Sequence, residues 1–258
     1  MDAGLSALFL QVPAAFLLFA RITGMLVAAP VLGGSYVPLR VRILLSLAIT
    51  LLVAPVVLPA AGGVATLWYP LALAKELATG LLLGFVVDCF FQAVLFGGDM
   101  IGRIAGFAAA ETFNPLFETT SGPTGQLFHL PLVLLYLGCD GHHHLLMALA
   151  RSFELVPLGA AGFGNDTLQV TVAATQAVFD LGLALAFPLL AAVMAITVAE
   201  GVVARAVPQI NILHISFGVK ILGTLIVLFF GVPAAVAFFG VILTAAQQAV
   251  LDLVPTLA

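Results

Sequence analysis

The sequence predicts an all-α integral membrane protein, built from about six long apolar helices. Three observations carry this. Hydrophobic residues make up 63% of the chain and mean hydropathy is +1.24. Charged residues are 8%, against about 25% in soluble domains. Six segments also reach the roughly 20 apolar residues that a bilayer crossing needs: Leu8–Val31, Ile43–Pro59, Leu71–Phe96, Leu127–Leu149, Thr171–Ala199 and Val219–Gln247. No stretch is polar enough to fold as a soluble domain, so residues 1–258 read as one membrane domain.

The first segment follows Asp2 with no basic run ahead of it, so it is expected to be retained rather than cleaved as a signal peptide. Turn-rich pieces separate the segments: Gly33 to Pro38, Pro59 to Pro70, Gly97 to Gly125, Pro157 to Asp166 and Arg205 to Gly218. If the segments alternate across the bilayer, Arg40, Arg42, Arg103, Arg205 and Lys220 lie on one side, with Arg151 and Lys75 on the other. That asymmetry places the N-terminus outside the cytoplasm. Eight basic against 12 acidic residues, with no basic run, exclude nucleic acid as an expected partner. Cys89 and Cys139 sit singly in apolar segments and read as small hydrophobes.

The third segment carries the most information. Gly80 and Gly84 begin a small-residue face, and Gly98, Gly102 and Gly106 continue the four-residue spacing that lets another backbone approach closely. Helical character is expected as far as Asn114, where Pro115 forbids more. A helix from Pro70 to Asn114 would be ~66 Å long, about twice a hydrocarbon core, so it must kink near Gly97-Gly98 or run inside a larger assembly. Asp88, Gln92, Asp99 and Arg103 form a polar stripe that must face protein or water.

The stretch from Gly97 to Gly125 belongs to no apolar segment. It carries Phe107, Phe113, Leu116 and Phe117, breaks at Asn114-Pro115, and ends in Thr, Ser, Gly and Pro. A loop so long and aromatic is either a packed interhelical connection or a functional element.

Enzyme chemistry finds no support. There is no nucleotide-binding G-x-x-x-x-G-K-[ST] and no G-x-S-x-G nucleophile turn. In Cys139-Asp140-Gly141-His142-His143-His144, three successive histidines point in different directions on a helix, without a second ligand cluster. The tract reads as a polar helix end with an Asp or Gly turn; no metal site and no cofactor are expected. Arg21, Asp88, Asp140, Asp180, Glu200 and Arg205 are ionisable residues at membrane depth. They fit either buried salt bridges or the relay of a proton-coupled small-molecule transporter.

Five blocks in order resemble the FliR family of the flagellar type III export apparatus, called SpaR or SctT in injectisomes. They are Arg21 with Ala29-Pro30-Val31, Gly33, Val37-Pro38 and Arg40-x-Arg42; Gly98, Gly102 and Gly106 with Asn114-Pro115; Asp140-Gly141-His142-His143; Ser152-Phe153 with Val156-Pro157; and Arg205-Ala206-Val207-Pro208-Gln209-Ile210-Asn211 with Phe217 and Lys220. Asn114 stands where the family more often has Asp, and Val219 where a proline is usual. The resemblance implies a non-enzymatic subunit of the bacterial cytoplasmic membrane, at the flagellar basal body. There it joins FliP and FliQ homologues in a closed helical assembly around a pore for unfolded protein, with FlhB attached. It implies tilted hairpins, a FliP-like part over about 1–165, a plug loop over 106–122 and a FliQ-like hairpin over 166–258. Phe107, Phe113, Leu116 and Phe117 map onto the plug. Separately, Arg205, Pro208, Gln209 and Asn211 are expected to form a joint between the last two long helices, since Arg205 can clamp a carboxylate and Pro208 ends the helix before it. Injectisome use remains the alternative within the family.

Overall fold

A computed structural model describes residues 2–34, 37–60, 68–106, 122–206 and 212–258. The described residues are helical and form seven α-helices: α1 (Asp2–Ala28), α2 (Leu39–Val57), α3 (Tyr69–Ala105), α4 (Pro123–Gly138), α5 (Gly141–Leu155), α6 (Asn165–Ala206) and α7 (Ile212–Thr256). A short 3₁₀ turn, Leu58–Ala60, follows α2. Five helices are long and apolar enough to cross a membrane, six if the pair α4 and α5 counts as one broken span. In hydrocarbon the backbone must bond to itself, which favours helix throughout. Prolines 13, 55, 131 and 188 are accordingly carried inside helices.

The structure differs from the sequence reading at two places. The fourth apolar segment is not one helix, because it breaks between Gly138 and Gly141. Asp140 adopts a left-handed backbone with φ 56°, a conformation that short polar side chains tolerate more readily than most others. The third helix is unbroken through Gly97-Gly98 but stops at Ala105, well before Asn114. Gly106 has φ 92° and its N–H donates to Arg103 O at 3.3 Å, so it ends the helix as a left-handed cap rather than extending the glycine face. The 37 residues of α3 still span ~56 Å, well beyond the ~30 Å hydrocarbon core.

Two compact units are interleaved along the chain, and α3, α6 and α7 contribute to both. Unit 1 holds residues 1–89, 139–175 and 245–258; unit 2 holds 90–138 and 176–244. In unit 1, α1 buries a stripe of Leu17, Leu18, Arg21, Ile22 and Met25, the three-to-four-residue spacing of one helix face. The start of α6 meets the end of α7 there, where Thr167 Oγ1 donates to Thr256 O at 2.8 Å. In contrast, α2 shows Leu44, Leu51, Leu52 and Val56 outward and buries Ser46 and Thr50. Those two hydroxyls donate back into the helix, to Arg42 O and Ser46 O, so neither is left unsatisfied by facing inward. In unit 2, Phe91 is fully buried edge-on to His129 and Tyr136 of α4, with centroids 6.0 and 5.1 Å away.

Candidate functional site

In unit 1 the organising contact is between α1 and α3. A β-carbon on Gly84 would stand 2.6 Å from Met25 O, and one on Gly24 2.5 Å from Leu77 O. One on Gly80 would run into Arg21 O. Any side chain at these positions would force the two backbones apart. One turn before Gly80 on the same α3 face stands Glu76, and directly across is Arg21.

Arg21 and Glu76 are both fully buried. The guanidinium meets the carboxylate as a fork: Nε donates to Oε2 at 2.6 Å and Nη2 to Oε1 at 2.9 Å. Nη1 donates to Ser152 O at 2.9 Å, to Ser152 Oγ at 3.2 Å and to Val156 O at 3.2 Å, which Nη2 also reaches at 3.2 Å. The Phe153 ring lies 4.7 Å from Arg21 Cζ. Gly159 N donates to Glu76 Oε1 at 2.8 Å. Each guanidinium nitrogen is therefore spent, and the α5–α6 connection is tied to the α1–α3 pair through one charge pair. A planar five-donor fork suits this task where a lysine would not.

In unit 2 the two ends of the central stretch touch each other. A β-carbon on Gly98 would be 2.6 Å from Gly125 Cα, and one on Gly102 would be 2.5 Å from Thr124 Oγ1. The last turns of α3, at Gly98 and Gly102, thus lie beside the first turn of α4. Gly97 also packs against the backbone of Gly182 on α6, and Phe96 stacks edge-on with Phe179 at 5.4 Å.

A family model described as bacterial export proteins, family 1, matches residues 12–246. The chain belongs to the FliR family. Relatives carrying the name flagellar biosynthetic protein FliR span most of it. The one from Pectobacterium carotovorum is 32% identical over 211 residues, covering 79% of this chain and 78% of the relative. The Escherichia coli K12 protein is 29% identical over 198 residues, 76% of each chain. That of Bacillus subtilis is 28% identical over 219 residues, covering 84% and 85%. The protein is thus a membrane protein of the flagellar FliR export family.

The structure brings together three runs on which the FliR resemblance rested, Arg21, Ser152-Phe153 and Val156-Pro157, at one buried node. Their partner Glu76 was missed by sequence reasoning. The available signal was its position four residues before Gly80 and eight before Gly84, which puts it on the face turned to α1. Along α3, Asp88 and Asp99 are half-buried while Gln92 and Arg103 are exposed, so the polar stripe is not uniformly covered by this chain. Arg205 is exposed near the end of α6. Pro208, Gln209 and Asn211 lie outside the described residues, as do Phe107, Phe113, Leu116 and Phe117.

Proposed function

We propose that the chain is a subunit of the flagellar type III protein export gate, forming with FliP and FliQ homologues a closed pore for unfolded export substrates. The observation that carries this reading is the closed base of the central loop. Gly98 against Gly125 and Gly102 against Thr124 hold the described residues that flank 107–121 at one place on the α3–α4 pair. A plug needs such an anchor, because a segment that yields to substrate must return to the same seat.

Phe107, Phe113, Leu116 and Phe117 then form the gasket. Apolar side chains at a constriction expel water and block ions without a covalent seal, and an arriving chain displaces them. The polar tail from Glu118 to Gly125 acts as the hinge. FlhB is a further partner, energy comes from elsewhere, and the N-terminus lies outside the cytoplasm of the inner membrane. Residues 1–165 serve as the FliP-like part and 166–258 as the FliQ-like hairpin. Exposed Phe187, Phe229 and Phe230, with the outward leucines of α2, supply apolar surface for neighbouring subunits and lipid. The flagellar names of the relatives favour the flagellar over the injectisome apparatus.

Shortening the loop between Ala108 and Ser121 tests this. Assembly should persist while the cytoplasmic membrane of cells making the complex becomes leaky to ions. An assembled complex with a membrane as tight as wild type would reduce the loop to a connector.

A further inference from the structure

We infer that Asp140, His142 and His143 form a binding site for one divalent transition-metal cation of the zinc class. Their donor atoms, one carboxylate oxygen and one ring nitrogen from each histidine, all lie within 4.8 Å of one another. The sequence expects the three successive histidines to point in different directions on a helix, and Asp140 lies just before that helix. The left-handed backbone at Asp140 changes the outcome, because it turns the carboxylate back over the first turn of α5. Asp140 Oδ1 stands 3.0 Å from His143 Nδ1. That is close to the ~3.3 Å edge of a tetrahedron with metal–ligand bonds of ~2.0–2.1 Å.

His142 supplies the third corner. Its ring centroid is 4.2 Å from that of His143, with the planes inclined by 34°. Its Nδ1 is buried and has no hydrogen-bond partner among the described residues, whereas a buried ring nitrogen ordinarily finds one. Asp140 and His143 are exposed, so a cation enters freely and the rings turn to close the remaining distance. Two imidazoles and one carboxylate suit zinc, cobalt or nickel, and do not suit magnesium or calcium, which demand oxygen. The carboxylate offsets the positive end of the α5 dipole that would otherwise repel a cation. On binding, His143 holds its proton at Nε2 and offers Nδ1, the metal replacing the hydrogen in its contact with Asp140. Water completes the coordination, and the bound ion locks the turn at Asp140.

The test uses the full chain in its co-expressed complex with FliP and FliQ homologues, without a histidine tag on any subunit, in detergent and stripped by chelator, titrated with Co²⁺ and followed by its visible absorption. One Co²⁺ per chain is expected, displaced by Zn²⁺ and not by Mg²⁺. Asp140→Asn, which keeps a residue tolerant of left-handed backbone, should weaken binding by about tenfold or more, as should His142→Gln and His143→Gln. His144→Gln should bind as wild type. Circular dichroism matched across the variants shows that each still folds. The proposal fails if no stoichiometric Co²⁺ binds, or if His144→Gln weakens binding as much as His142→Gln, since the tract would then be a generic run of imidazoles.

Discussion

Removing the carboxylate of Glu76 strands a positive charge in a fully buried site, and the consequence can be worked from the contacts. Glu76→Ala deletes both arms of the fork to Arg21, at 2.6 and 2.9 Å, and the acceptor for Gly159 N at 2.8 Å. What remains to Arg21 is the carbonyl oxygens of Ser152 and Val156, the Ser152 hydroxyl and the Phe153 ring. These acceptors are neutral, so they solvate the guanidinium without neutralising it. Breaking a buried pair in this way costs about 3–5 kcal/mol. The surviving acceptors place Glu76→Ala near the lower figure, about 3 kcal/mol, which is more than a hundredfold in the folded-to-unfolded ratio. The double variant Arg21→Met with Glu76→Leu removes the charge along with its partner and should recover over half of that loss. Glu76→Gln keeps an acceptor for Gly159 N and should fall between. Unfolding of the assembled complex, followed by pulse proteolysis in denaturant, measures all three. A loss below about 0.5 kcal/mol in Glu76→Ala, or a double variant worse than either single one, would refute the reasoning.

Two further outcomes are expected. At Gly98 a β-carbon meets the backbone of Gly125, but at Gly102 it meets only the Thr124 side chain, whose hydroxyl can turn aside while Cβ at 3.1 Å must give by a few tenths of an ångström. Gly98→Ala should therefore destabilise by at least about 1 kcal/mol more than Gly102→Ala, and equal effects would mean that the α3–α4 contact is looser than described. Arg205→Ala and Asn211→Ala should impair motility with the protein still present at wild-type level. Unchanged motility in both would make that joint an ordinary solvated loop.

The fold was legible wherever hydrophobicity alone decides. Long apolar runs gave the spans, and small residues at four-residue spacing marked the α3 face now seen against α1 and, farther along, against α4. Element ends were less so. The backbone break at Asp140 is set by one residue's φ, which no apolar count registers, and Gly106 ended a helix that its spacing alone would have continued. The central node was half visible. Arg21 is conspicuous as a charge in an apolar run, but its partner lies 55 residues away, and carbonyls of Ser152 and Val156 complete the site. Backbone acceptors have no residue-type signature. Helix geometry spreads the three successive histidines, but the backbone turn that sets the Asp140 carboxylate near His142 and His143 has no signature in the sequence.

The central claim, that this chain works as part of an export gate, is tested most directly by co-purification. The chain should be expressed in the membrane alone, then together with FliP and FliQ homologues from the same genome, and each sample examined by size-exclusion chromatography and native mass spectrometry. The account predicts aggregated or degraded material from the single chain and one stable complex from the co-expression, containing all three proteins. A monodisperse single chain that binds neither homologue would contradict it.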